Sequence, residues 1–115
     1  MLTSRGYHIV ADLFGCPRQY LESSKALHDI LWGAIGESGL SVVGENFYQF
    51  QPTGATGVLL LETSHICAHS WPEDSFLAVD VYSCSGKEKA KKAIDYILKT
   101  AQPERVFVRE IERFK

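Results

Sequence analysis

Only two stretches of this 115-residue chain repeat their apolar residues at helical spacing, and that restricts the fold more than any other feature. The first runs from Pro17, which suits an opening helical turn, to Ser38, and is ended near Gly39. Its stripe is Tyr20, Ser24, Leu27, Leu31 and Ile35, widened by Ala26, Ile30 and Ala34. The second covers about Lys87 to Ala101, with Ala90, Ala93, Ile94, Ile97 and Leu98 on its buried side and Pro103 just beyond. The rest reads as strand or turn. Residues 6–14 are rich in β-branched and aromatic types and stop at Gly15-Cys16-Pro17. Residues 40–50 return to strand composition, with Gly44 marking a bulge, and a Pro/Gly turn over 51–57 follows. Val58–Leu61 is a short apolar run that reads as a buried strand; residues 76–84 and 106–111 supply two more. The order β-α-β-β-β-α-β predicts an α+β fold: a two-layer α/β sandwich, a mainly antiparallel sheet with both helices on one face. The length suits one domain over 1–115.

Charge excludes some functions. Twelve Lys+Arg stand against fourteen Asp+Glu, and the Lys-rich stretch Lys87–Lys92 is interrupted by Glu88, so it reads as a solvated helix face rather than a nucleic-acid grip. No apolar run approaches the roughly 18 residues of a spanning helix, and the opening Met1-Leu-Thr-Ser-Arg-Gly6 lacks the charged and apolar regions of a signal peptide. The expectation is a soluble cytoplasmic protein with neither nucleic acid nor membrane as partner. Cys16, Cys67 and Cys84 are odd in number and widely spaced, which fits neither a disulfide framework nor a CxxC metal clip.

Reactive residue types concentrate between 62 and 84: Glu62, Thr63, Ser64, His65, Cys67, His69, Glu73, Asp80 and Cys84. His65 and His69, four apart, would share one face of a helix and could hold zinc, but β-rich flanks and Pro72 argue against a helix there. A serine hydrolase would need a Gly-x-Ser-x-Gly elbow, and Ser64 has Glu62 and Ile66 where those glycines belong. Cys84 by itself is as readily a small buried hydrophobe as a reactive thiol.

The string Ser64-His-Ile-Cys-Ala-His69-Ser-Trp71-Pro-Glu73 resembles the small bacterial and phage S-adenosylmethionine decarboxylases. The resemblance extends upstream through Phe50-x-Pro52-x-Gly54-x-Thr56-Gly57 and downstream through Asp80-Val-Tyr-Ser-Cys84, and takes in Gly6-Tyr-His8-Ile-Val-Ala-Asp12. It implies self-cleavage between Thr63 and Ser64 into a β chain 1–63 and an α chain 64–115, and a pyruvoyl cofactor derived from Ser64, without pyridoxal phosphate or metal. That group would form a Schiff base with the substrate amine and act as electron sink.

By the same resemblance, His69 takes part in processing as the base that removes the α-proton, and the Thr56 hydroxyl, where members usually carry Ser, supports the acyl shift. Cys84 matches the thiol that reprotonates the substrate carbon. Phe50 matches an aromatic that stacks on adenine, Glu73 a carboxylate that accepts from the ribose hydroxyls, and Trp71 lies beside it. An aromatic near Pro is as readily core as contact, so Phe50 and Trp71 carry both readings. Thr63 stands where members usually have Glu, and Tyr48 and Gln49 stand where a histidine precedes Phe-x-Pro. These departures leave ornithine or arginine as the alternative substrate on the same scaffold, and an unprocessed, non-catalytic relative as the rival class. The resemblance also implies a homodimer of αβ units with sites completed near the subunit interface.

Overall fold

The computed structural model describes residues 6–113. The opening Met1-Leu-Thr-Ser-Arg5, read above as lacking leader features, lies outside them. The elements are β1 (Tyr7–Phe14), α1 (Ser24–Ser38), β2 (Val42–Gln49), β3 (Ala55–Leu61), β4 (His65–Trp71), β5 (Phe76–Ser83), α2 (Lys87–Ala101) and β6 (Arg105–Glu112). They form one six-stranded sheet in the order β2-β3-β4-β5-β1-β6, with every neighbouring pair antiparallel. Both helices pack on one face, α1 over β2 and β3, α2 over β1 and β5. The expected two-layer α+β sandwich is the observed one.

Three features differ from the sequence reading: β3 starts at Ala55 rather than Val58, so the Pro/Gly turn ends at Gly54 and not at Gly57, and the start of the first helix and the number of strands differ as well. The first helix starts at Ser24 rather than Pro17, because the Ser23 side chain accepts from Ala26 N (3.1 Å) and caps it there; residues 18–20 form a separate 3-10 turn. At its other end Gly39 adopts the left-handed conformation (φ 77°) that a helix stop favours. The third difference is a sixth strand. Residues 65–71, where the sequence pattern points to no helix and shows no hydropathy alternation, form β4 at the middle of the sheet, alternating buried Ile66, Ala68 and Ser70 with outward His65, Cys67, His69 and Trp71. Ser70 occupies a core position because its hydroxyl is satisfied there, donating to Leu21 O (2.8 Å) and accepting from Ala55 N (2.9 Å). The bulge expected at Gly44 is present as a register shift between Val42 and Gly44.

Residues paired across an antiparallel ladder point to the same side. Ile9, Ala11, Leu13, Leu59, Ile66, Leu77 and Val81 thus meet Leu27, Leu31 and Ile97 from the helices, all at most 2% exposed. The opposite face of the sheet is covered by no element among the described residues, and carries Tyr48 (63% exposed), Leu60 (54%), Phe107 (54%), Ile111 (49%) and Trp71 (42%). None of the described helices is long and apolar enough to cross a membrane.

Candidate active site

The β3–β4 hairpin turns through Glu62 and Thr63, closed by a hydrogen bond from Leu61 N to Ser64 O (3.0 Å). Because β4 pairs with β5 in the register His65↔Tyr82, the residue before His65 arrives beside the end of β5, and Ser64 meets Cys84. The Cys84 backbone N–H donates to Ser64 Oγ (2.9 Å), and its thiol donates to the carbonyl oxygen of Thr63 (3.3 Å). Thr63 Oγ1 lies 3.4 Å from Ser64 Oγ. Ser64 is buried, while Glu62 and Thr63 are exposed. The turn bearing Cys84 is fixed by Ser83, whose hydroxyl accepts from Ser85 N (3.1 Å) and donates to Gly86 O (3.3 Å). A hydroxyl, the carbonyl preceding it and a thiol are therefore in one cluster, and a small cavity of about 110 Å³ adjoins it, bordered by Ser41 and Lys89. The neighbouring Cys84 pushes the Tyr82 phenol above its ordinary range.

A second cluster forms at the other end of β4. The register Thr56↔His69 brings Thr56 Oγ1 to 2.9 Å from His69 Nδ1, one rung from Trp71. Around them opens a cavity of about 720 Å³ lined by Phe50, Thr56, His69, Trp71, Glu73 and Arg18, a size suited to a small organic ligand. The turn that carries Phe50 is tied down by Gln49. Its amide nitrogen donates to Glu22 O, Phe50 O and Gly54 O (3.2, 3.0 and 3.0 Å) and its oxygen accepts from Ser24 N (2.7 Å). Gly54, at φ 103°, is required where the turn passes Ser70, since an added Cβ would lie 3.2 Å from that carbonyl.

The sequence-predicted residues thus fall into two groups. Thr63, Ser64 and Cys84 come together, as do Phe50, Thr56, His69, Trp71 and Glu73, but the groups do not meet in one protomer. Ser64 and His69 are five strand residues apart, roughly 16 Å along the sheet. Phe50 and Trp71, given two readings above, are 45% and 42% exposed and are not core. Sequence reasoning missed Arg18 and the anchoring role of Gln49; the several polar atoms Gln offers beside a Pro/Gly turn were the available signal. The three cysteines are unpaired, and burial pushes the Cys16 thiol up to about 11 and also raises Cys67, with Asp80 adding to the latter.

Fold and site together define a class: a single-sheet α+β sandwich with a hydroxyl, the carbonyl preceding it and a thiol clustered at a hairpin, and an aromatic-lined cavity at the other end of the same strand. The S-adenosylmethionine decarboxylase family model matches residues 7–114. The S-adenosylmethionine decarboxylase proenzyme of Persephonella marina is 47% identical over 108 residues, 94% of this chain and 81% of that protein. The one from Picrophilus torridus is 40% identical over 113 residues, 98% and 87% of the two chains. The crystal structure of the adenosylmethionine decarboxylase of Aquifex aeolicus superposes with a TM-score of 0.93 at 39% identity, covering 97% of this chain and 92% of that one. The Trypanosoma brucei enzyme shares the fold alone (TM-score 0.65, 17% identity), and this chain spans 44% of its length. The chain belongs to the S-adenosylmethionine decarboxylase family.

Proposed function

We propose that this chain is a pyruvoyl-dependent decarboxylase of S-adenosylmethionine, making the aminopropyl donor for spermidine synthesis after cutting itself between Thr63 and Ser64. The observation that carries this reading is the double engagement by Cys84, whose N–H fixes the Ser64 hydroxyl while its thiol touches the Thr63 carbonyl. A donor on that oxygen stabilises the charge that develops when the carbonyl is attacked. Ser64 Oγ bonds to the Thr63 carbonyl carbon as the C–N bond breaks, and the nitrogen takes the hydroxyl proton, leaving an ester. A base removes the Ser64 α-proton, the Cβ–O bond breaks, and Thr63 departs as a carboxylate. The resulting dehydroalanine takes up water and loses ammonia, leaving the pyruvoyl terminus of chain 64–115.

A buried serine at a hairpin end with the preceding carbonyl in contact with a thiol fits that group, which supplies the electron sink for the pair released with carbon dioxide. Cys84 then returns a proton to the substrate carbon. In the larger cavity Phe50 and Trp71 offer faces for adenine, and the Glu73 carboxylate suits both ribose hydroxyls and a sulfonium. His69, oriented by Thr56, is the processing base, and since it stands far from its own Ser64 it serves the Ser64 of a second copy. Two sheets packed through their open faces form a homodimer that covers the exposed aromatics and closes each site with both subunits.

Intact mass under denaturing conditions tests the processing: two fragments dividing at Thr63–Ser64, and one uncut chain for Ser64→Ala, are expected. Release of carbon dioxide from carboxyl-labelled S-adenosylmethionine, run beside labelled ornithine and arginine, tests the substrate. An uncut wild-type chain overturns the enzyme reading; release from an amino acid alone overturns the substrate.

A further inference from the structure

Three strands that are distant in sequence bring two imidazoles and a carboxylate to one spot on the open face. His8 on β1 and His65 on β4 occupy the same rung, each paired with Tyr82 of the central strand β5, and Asp80 projects from β5 on the same face. One Asp80 oxygen contacts His8 Nε2 and the other lies 3.8 Å from His65 Nε2. The imidazole rings meet edge-on, at 83° with centroids 5.9 Å apart, rather than stacking. One donor atom from each of the three residues lies within 4.8 Å of the other two, the only such convergence of His, Cys, Asp or Glu among the described residues. The side chains are 19%, 34% and 38% exposed for His8, His65 and Asp80, so the spot is half-sheltered and open on one side. Tyr82 walls it, with its ring centroid 5.3 Å from His8 and 5.7 Å from His65.

We propose that His8, His65 and Asp80 bind a divalent transition ion of the zinc type. Two neutral imidazoles and one carboxylate are a donor set that zinc favours, and three protein ligands leave a fourth position for water. The three donor atoms lie within 4.8 Å of one another, and tetrahedral zinc with bonds of about 2.1 Å sets its donors roughly 3.4 Å apart, so His8 and Asp80 would part to admit the ion while His65 closes on it, by side-chain rotation. The ion would pin β1, β5 and β4 together where His65 directly follows Ser64 and where Tyr82 leads to Cys84. This site is separate from the proposed substrate cavity, and its existence does not depend on the decarboxylase reading. It also differs from a His65–His69 pair: those residues share a face of β4, but His69 turns to Thr56.

Titration of zinc chloride into chelator-stripped protein, followed by calorimetry and thermal unfolding, tests the assignment. One ion per chain and a higher unfolding temperature are expected, and His8→Gln, His65→Gln and Asp80→Asn should each weaken binding at least ten-fold. Cys67→Ser and Cys84→Ser should leave the affinity within two-fold, and cobalt should show visible ligand-field bands without a thiolate charge-transfer band. Circular dichroism of the metal-free variants checks their folding, and should one of them fail, His65→Gln, at a half-exposed position, carries the test. Absence of stoichiometric binding, or binding that survives His65→Gln and Asp80→Asn, overturns the proposal.

Discussion

If His69 acts on the Ser64 of a second copy, two inactive variants should repair each other. A general base must come within about 3 Å of the proton it takes, whereas five strand residues place His69 about 16 Å from its own Ser64. Face-to-face packing with the two-fold axis running across the strands lays the Thr56–His69 end of one sheet over the Ser64–Cys84 end of the other. An axis along the strands would superpose like ends and leave the site split. In a mixed dimer of Ser64→Ala and His69→Ala, one site has both mutations and the other has neither. Random pairing of equal amounts makes about half of all dimers mixed. About half of the His69→Ala chains should then be cut at Thr63–Ser64, and about a quarter of the wild-type sites should be active. Alone, His69→Ala should process slower by the 10²–10⁴-fold typical of a missing general base, and Ser64→Ala should not process at all. Co-expression with two affinity tags, purification of the doubly tagged species and intact mass give the measurement. A doubly tagged dimer whose His69→Ala chain stays uncut would refute the shared site.

Other perturbations probe single residues. Phe50→Ala should raise KM for S-adenosylmethionine about five-fold with kcat little changed, the loss of roughly 1 kcal/mol of ring stacking; a fall in kcat alone would remove Phe50 from the binding surface. Gln49→Leu frees the Phe50 turn from four hydrogen bonds, so KM should rise about ten-fold in steady-state assays while processing at Ser64, at the far end of the strand, is unaffected. Burial keeps the Cys16 thiol neutral up to about pH 11, whereas in the unfolded chain it ionises near its ordinary value. The unfolded state therefore sheds this proton first, and stability should fall as pH rises from about 9 to 11, by roughly 2 to 3 kcal/mol. Denaturant melts of wild type and Cys16→Ala across that window should differ in slope, and parallel curves would show that the thiol is not the cause.

The helices were legible because their apolar stripes are long and periodic, and β1 because its β-branched run ends at Gly15-Cys16-Pro17. β4 was not, since a strand whose outward residues are His65, Cys67 and His69 and whose core includes Ser70 does not alternate in hydropathy, although it alternates in burial. Its polar core residue is tolerated only through bonds to Leu21 and Ala55, partners far off in sequence. The same strand explains what the motif left out. Ser64 and His69 look like one cluster when read as a string, but five residues of extended chain place them at opposite ends of β4. In sequence, His8 and Asp80 look unrelated at 72 positions apart, yet the β1–β5 pairing makes them touch. A string of reactive residues thus reports which chemistry a chain can carry, while the register of the strands decides which of those residues share a site. In this fold that register divides the motif between the two ends of β4, which is why the proposed site draws on a second copy.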